Sequence, residues 1–127
     1  MESKLIHLNE LKSVLDTFGL DHAEVCVVGS AVMALHGIRV NNDIDIIVCK
    51  DKREKIIDTT STISLSENIE CVREGWLKPL SDDEIIFNSE FHSIHDGIKF
   101  CKIEMVVERK KRSTKQKDKE DLELIND

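Results

Sequence analysis

The chain has 127 residues, of which 40% are hydrophobic and 34% charged, and 25 acidic against 18 basic side chains give a net charge of −7. This composition is typical of a soluble folded domain rather than a disordered chain, so we expect one domain over residues 1–127. The acidic balance makes it a poor general binder of nucleic-acid phosphates, and four Phe, one Trp and no Tyr offer little for stacking bases.

Apolar periodicity predicts a chain that alternates between helices and strands. In chain order we predict a helix at 4–18, a strand at 25–28, a helix at 31–36, a strand at 44–49, a helix at 51–58, strands at 84–88 and 98–107, and a helix at 118–125. Ser3 is a candidate N-cap for the first helix, and Gly19 fits its end. Asp96-Gly97 is a turn signal that predicts a hairpin before the last strand. Residues 59–82 predict either short strands or an extension of the third helix.

The cysteines and the hydropathy pattern bear on the compartment. The chain has no apolar run near the ~20 residues of a membrane span, and its N-terminus lacks the apolar core of a signal peptide. None of the four cysteines forms a CxxC pair, and Cys26 and Cys49 lie in apolar runs. We interpret them as small buried side chains in a reducing compartment, so we expect a cytoplasmic protein without membrane partners.

Two carboxylates stand at the start of the second predicted strand. Asp43 and Asp45 are two residues apart, and such residues project from the same face of a strand, about 6.6 Å apart along the chain. Two carboxylates held close together repel each other unless a cation lies between them. Oxygen ligands of this kind suit Mg²⁺. The pair therefore predicts a metal site, although isolated acids of this pattern are common in solvated strand ends.

A third carboxylate, Glu104, lies between Ile103 and Met105 in the predicted strand at 98–107. If it joins Asp43 and Asp45, the three could hold two metals about 3.5–4 Å apart, the arrangement that supports phosphoryl or nucleotidyl transfer. Taken alone, Glu104 would be a solvent-facing residue of an alternating strand. The hypothesis depends on the order of three features along the chain: Gly29-Ser30 after the first predicted strand, then the pair Asp43 and Asp45, then Glu104.

Gly29 and Ser30 follow the first predicted strand directly and lead into a short helix. A glycine lets the backbone approach a ligand closely, and the N–H groups at a helix start can bind phosphate. The hydroxyl of Ser30 can donate another hydrogen bond. Arg39 lies between this turn and Asp43, where it could reach a triphosphate or stay in solvent.

These motifs resemble the DNA polymerase β-like nucleotidyltransferase superfamily. The residues that carry the resemblance are Val28-Gly29-Ser30, then twelve residues, then Asp43-Ile44-Asp45, and later Ile103-Glu104-Met105. The stretch at 29–48 looks like small bacterial nucleotidyltransferases, and the segment at 117–125 looks like a helix that follows the third carboxylate there. The resemblance covers residues 24–50 well and 98–125 moderately, whereas the middle of the chain matches nothing nameable.

The resemblance implies a fold class, a site and a reaction. The fold would be α/β (α+β), with a mixed sheet and helices packed mainly on one face. Asp43, Asp45 and Glu104 would be catalytic and would hold two Mg²⁺ ions, and a nucleoside triphosphate would bind at Gly29, Ser30 and Arg39. The reaction would transfer a nucleoside monophosphate to an acceptor, which could be a protein, a tRNA or a small molecule.

Several features leave an alternative open. Asn42 stands where many relatives carry Thr or Ser, and the third acid is Glu rather than the commoner Asp. From the 127 residues we expect no counterpart of the further helical domain that many relatives have. The chain could therefore be a catalytically weak or inactive binding module, antitoxin-like or docked on a partner or a second copy. Seven basic residues lie between Arg109 and Lys119, and they could either flank the site or form a solvated segment.

Overall fold

The computed structural model describes residues 2–56 and 61–126. The helices are α1 (Leu8–Thr17), α2 (Ser30–Leu35), α3 (Lys50–Ile56), α4 (Asp82–Phe87), α5 (Ile103–Lys111) and α6 (Gln116–Asn126). The strands are β1 (Val25–Val28), β2 (Ile44–Val48), β3 (Ile63–Ser66), β4 (Ile69–Cys71), β5 (His92–His95) and β6 (Ile98–Cys101). None of the helices formed by these residues is both long and apolar enough to cross a membrane.

The six strands form one mixed sheet in the order β3-β4-β2-β1-β6-β5. The central strand β1 pairs antiparallel with β2 and parallel with β6, and β2 in turn pairs parallel with β4. Two antiparallel hairpins, β3–β4 and β5–β6, complete the two sides of the sheet. The predicted α/β fold class with a mixed sheet is confirmed.

The core lies against the two central strands. All four residues of β1 are buried, and because neighbouring strand residues point to opposite faces, both faces of the sheet are covered at its centre. Apart from Ala34, the other buried apolar residues of the described chain belong to the same cluster, which includes Leu11 and Leu15 of α1, Met33 of α2 and Phe100 of β6. Burial of each such side chain stabilises the fold by about 1.5–3 kcal/mol. The cluster therefore holds β1 and β2 rigidly and fixes the positions of the residues at their ends.

Several predicted elements are confirmed. The strands at β1 and β2, the short helix α2 and the hairpin at Asp96-Gly97 lie where the sequence placed them, within one residue at each end. The middle of the chain forms the short strands β3 and β4. All four cysteines are buried and free of disulfides. Positions 57–60, which include the end of the predicted third helix, lie outside the described residues.

The first helix starts later than predicted. Helix α1 begins at Leu8 after His7, which has a positive φ of 73° and no side-chain cap, so the prediction of Ser3 as N-cap is wrong. The hydroxyl of Ser3 instead accepts a hydrogen bond from the N–H of Leu5. The prediction that the helix stops at Gly19 is confirmed, since α1 ends at Thr17.

Two predicted strands are wrong. Residues 84–87 belong to α4, and Asn88 is its C-cap. Ser81 and Glu84 start this helix with a capping box, in which each side chain accepts a hydrogen bond from the other residue's N–H. The segment 98–107 is a strand only to Cys101 and continues as α5 from Ile103. Its apolar positions are even at 98 and 100 but odd at 103, 105 and 107, and this change of parity marks the break.

Candidate functional site

Three carboxylates meet at one end of the central strands. Asp43 directly precedes β2, Asp45 lies within β2, and Glu70 lies in the neighbouring strand β4. Each side chain places an oxygen within 4.8 Å of the oxygens of the other two. The parallel register pairs Asp45 with Glu70, so both side chains point to the same face of the sheet.

The position of Glu70 is fixed by the turn before β4. The carbonyl of Asn68 accepts a hydrogen bond of 2.8 Å from the N–H of Ile44, which joins this turn to the start of β2. The side chain of Glu10, on α1, accepts a hydrogen bond of 2.9 Å from the N–H of Asn68. Backbone pairing and this anchor together set Glu70 beside Asp45.

Gly29 allows the backbone to pass close to the cluster. Its φ of 73° and ψ of −147° lie in a region that is essentially restricted to glycine. A Cβ atom at this position would lie 3.3 Å from the Oδ2 atom of Asp45. The turn between β1 and α2 therefore needs a glycine for its conformation and for the approach to the carboxylate.

Asp45 is electrostatically strained. Burial, followed by repulsion from Asp43 and Glu70, raises the pKa of Asp45 to about 7, although Lys110 and Lys117 act in the opposite direction. Its Oδ1 atom is buried and accepts no hydrogen bond from the described part of the chain. An unpaired buried carboxylate oxygen is costly, and a bound cation or a proton would relieve this cost.

The carboxylates open into a cleft of about 400 Å³. Gly29, Ser30 and the three acids form one part of its wall. The same lining contains six cationic residues, which we call the cationic wall: Arg39, Arg73, Arg109, Lys110, Lys115 and Lys117. The remaining lining residues are Thr62, Val72, Trp76, Val106, Ser113 and Asp118. In an acidic protein, this concentration of positive side chains in one cleft with three acids makes the cleft distinctive.

The basic segment belongs to this cleft. Four of its seven basic residues line the wall, namely Arg109, Lys110, Lys115 and Lys117. Of these, Lys110 forms ion pairs with Asp118 and Asp121, at 3.0 and 2.9 Å. Arg109, Lys115 and Lys117 have no acidic partner within the described residues, so their positive charges remain available to an anion in the cleft.

Arg39 lines the cleft while pairing with a carboxylate of α6. Its Nε donates to Oδ1 of Asp121 at 2.7 Å, and its Nη2 donates to Oδ2 at 2.9 Å. This two-point pairing raises the pKa of Arg39 above its usual range. Nε and Nη2 of its guanidinium are held by Asp121, so Arg39 is not a free loop side chain. Only the rest of the group is available to a ligand.

Glu104 does not join Asp43 and Asp45. It lies in the first turn of α5, is exposed, and is not among the residues that line the cleft. The structure brings Glu70 to the two aspartates instead. A signal for it exists in the sequence, since Ile69-Glu70-Cys71 is also an acid between apolar residues of a short strand. The longer alternation over 98–107 favours Glu104 when only the sequence is considered.

A larger cavity of about 820 Å³ lies beside the cleft and shares Arg73 with it. Its lining mixes acidic residues such as Asp82 and Asp83 with basic ones such as Lys50 and Lys78. Both aspartates already accept hydrogen bonds from backbone N–H groups. The smaller cleft, which holds the carboxylate cluster and six cationic residues, is therefore the better candidate site.

Comparisons of the chain with protein-family models, with curated proteins and with solved structures found no match.

Proposed function

We propose that the protein is a Mg²⁺-dependent nucleotidyltransferase of the DNA polymerase β-like type, which transfers a nucleoside monophosphate from a nucleoside triphosphate to an acceptor in the cytoplasm. The observation that carries the proposal is the lining of the cleft, which combines three clustered carboxylates with six cationic side chains. A triphosphate with bound Mg²⁺ has the matching pattern, because its metal pairs with carboxylates and its phosphate oxygens pair with Lys and Arg.

The residues present fit Mg²⁺. Asp43, Asp45 and Glu70 offer hard oxygen ligands whose atoms lie within 4.8 Å of one another, and Oδ1 of Asp45 is buried without a hydrogen-bond donor. These three residues, rather than Asp43, Asp45 and Glu104, would hold the metal. When bound, Mg²⁺ would neutralise charge on the phosphate oxygens and lower the pKa of an attacking hydroxyl.

The chain's own groups would bind and orient the triphosphate. Lys115, Lys117 and Arg109 can pair with phosphate oxygens, and the hydroxyl of Ser30 can donate to another. Val72 and Trp76, on the same lining, offer an apolar surface for a base. The acceptor oxygen would bond to the α-phosphorus and release its proton to water. The bond from that phosphorus to its bridging oxygen would break, and pyrophosphate would leave with the electron pair.

A second candidate is a binding module with the same site but little or no catalysis, acting as an antitoxin-like or partner-docking subunit. The interactions of Asp45 favour it, since Lys110 and Lys117 partly offset the acidic charge without any metal. Phe87, at the end of α4, and Ile94, on the edge strand β5, are 57% and 62% exposed. Such side chains are available to a partner protein or a second copy of the chain.

Calorimetric titration of the four Mg²⁺-nucleoside triphosphates tests the proposal. We expect the parent to bind at least one of them and Asp43→Asn/Asp45→Asn to bind none while keeping its fold. Binding by the parent alone justifies incubation with nucleotide labelled on the α-phosphate, in which label transferred to an acceptor supports the enzyme and no transfer supports the binding module. Equal binding by both proteins would show that the site is elsewhere.

A further inference from the structure

A buried ion-pair network joins helix α6 to the cleft. Asp121, on α6, is only 3% exposed, and it holds Arg39 through two hydrogen bonds of 2.7 and 2.9 Å. The two residues are 82 positions apart in sequence. The same carboxylate accepts a third hydrogen bond, of 2.9 Å, from the Nζ of Lys110 on α5. One aspartate thus orders two cations from two different elements.

The network persists although burial opposes it. Desolvation disfavours the charged form of Asp121, but the hydrogen bonds from Arg39 and Lys110 outweigh it, so the pKa of Asp121 lies below its usual range. Removal of one partner from such a group leaves a buried charge without compensation. The carboxylate therefore stays ionised and keeps both cations in fixed positions.

Both cations retain donors that the described residues do not use. Arg39 has five N–H donors, of which one each from Nε and Nη2 goes to Asp121 and one from Nη1 goes to the carbonyl of Val40. Lys110 has three donors and spends two, on Asp118 and Asp121. Because both residues line the cleft, their remaining donors are available to a ligand in it.

We infer that Asp121 is a positioning residue of the proposed nucleotide site, which holds Arg39 and Lys110 so that their unused donors bind the triphosphate. This inference rests on the proposed function and adds a role for α6, which contributes no side chain to the carboxylate cluster of Asp43, Asp45 and Glu70. Lys110 also acts electrostatically on Asp45, so the network reaches from α6 to the acidic wall of the cleft.

For Asp121→Asn, a positioning role and simple electrostatics predict opposite changes in nucleotide affinity. Asp121→Asn removes a negative charge near the cleft, and by charge alone it would strengthen the binding of an anion. If Asp121 positions the two cations, the variant instead binds Mg²⁺-nucleoside triphosphate more weakly, by about tenfold, because Arg39 loses its two-point partner and becomes mobile. A purely structural role would lower the melting temperature and leave the affinity of the folded protein unchanged.

Glu123→Gln is the matched control. Glu123 is also an acid of α6, but it is exposed, does not line the cleft and forms no ion pair with a described residue. We expect this variant to bind the nucleotide as tightly as the parent. Arg39→Lys keeps the charge but lacks the planar fork, so it is expected to lose about as much affinity as Asp121→Asn. The double variant should lose little more than either single one, since both break the same interaction.

The experiment titrates whichever Mg²⁺-nucleoside triphosphate binds the parent most tightly, with circular dichroism and melting curves to establish folding, and a separate titration with Mg²⁺ alone. Weaker nucleotide binding with Mg²⁺ affinity within about twofold of the parent supports positioning. A folded Asp121→Asn variant that binds the nucleotide as tightly as the parent overturns the positioning role. If that variant does not fold, an Arg39→Lys variant with unchanged nucleotide affinity overturns it. A parent that binds no nucleotide overturns the proposed function as well.

Discussion

The two walls of the cleft are built in different ways. The acidic wall stands on β2 and β4, where backbone pairing sets Asp45 opposite Glu70. The cationic wall is made of side chains from α5, α6, the loop that carries Arg39 and the segments around Arg73 and Lys115, and ion pairs to Asp121 hold two of these cations, Arg39 and Lys110. The acidic wall is thus positioned by main-chain hydrogen bonds, and the cationic wall, where its cations are held, by side-chain ion pairs.

This difference has a consequence for function. Backbone pairing within a buried sheet tolerates little adjustment, so the carboxylates stay close together even though they repel one another. Arg39 and Lys110 are held through side chains alone, and Arg109, Lys115 and Lys117 have no acidic partner among the described residues, so the cationic wall is the more adjustable of the two. We expect changes in the acidic wall to affect metal binding and changes in the cationic wall to affect nucleotide binding alone.

The largest expected effect separates the two glutamates. Glu70→Gln removes a charge from the acidic wall and should weaken Mg²⁺-nucleotide binding by more than about thirtyfold, the equivalent of about 2 kcal/mol or more. Glu104→Gln makes the same chemical change on the exposed start of α5 and should have no effect. Titration calorimetry of both variants measures the difference. A loss with Glu104→Gln and none with Glu70→Gln would return the site to the sequence-based assignment.

A smaller effect is expected where the backbone approaches the acidic wall. Gly29→Ala forces a residue with a Cβ into a glycine-only conformation and brings that atom 3.3 Å from Asp45 Oδ2. We expect a loss of about 2 kcal/mol in the free energy of unfolding, together with weaker Mg²⁺ binding. Gly19 is the control, since it has a similar φ of 67° but no atom within 4 Å of the added Cβ.

Gly19→Ala should cost about 1 kcal/mol through its backbone alone and leave Mg²⁺ binding unchanged. Urea unfolding and titration with Mg²⁺ measure the two quantities for both variants. Equal Mg²⁺ binding by Gly29→Ala and the parent would mean that the close approach at Gly29 has no part in the site.

The smallest expected effect is the pH dependence of stability due to Asp45. Its pKa of about 7 in the folded protein lies above the ordinary value, so the native state binds more protons than the unfolded chain between about pH 4 and 7. The free energy of unfolding therefore falls as the pH rises through this window. Above this pH window, the charged carboxylate destabilises the metal-free protein. The loss in the free energy of unfolding is limited to about 1–2 kcal/mol, because the open cleft screens part of the repulsion.

Asp45→Asn removes this penalty. Without metal at pH 8 the variant should be the more stable protein, and its advantage over the parent should shrink as the pH falls and vanish by about pH 4. Addition of Mg²⁺ should stabilise the parent alone. Urea unfolding across this pH range in EDTA, repeated with Mg²⁺, measures both differences. An advantage that does not change with pH would show that Asp45 is not strained by its neighbours.

Much of the acidic wall was predictable because its determinants are local. The β-branched run of β1, the glycine after it and the alternation of Asp43 and Asp45 around Ile44 each depend on a few consecutive residues. The order of helices and strands up to α3 followed for the same reason. The failures at α4 and α5 have local causes too, since the Ser81–Glu84 capping box and the parity change after Phe100 are present in the sequence.

The sequence by itself determined which strand carries the first two carboxylates and which turn precedes them, because strand alternation and glycine conformations depend only on near neighbours. Only the tertiary structure decided that Glu70 rather than Glu104 completes the cluster, since this choice depends on β4 pairing beside β2. It also decided that Asp121 meets Arg39, 82 residues away. Strand order and long-range ion pairs depend on how distant segments pack, and no spacing along one chain encodes them.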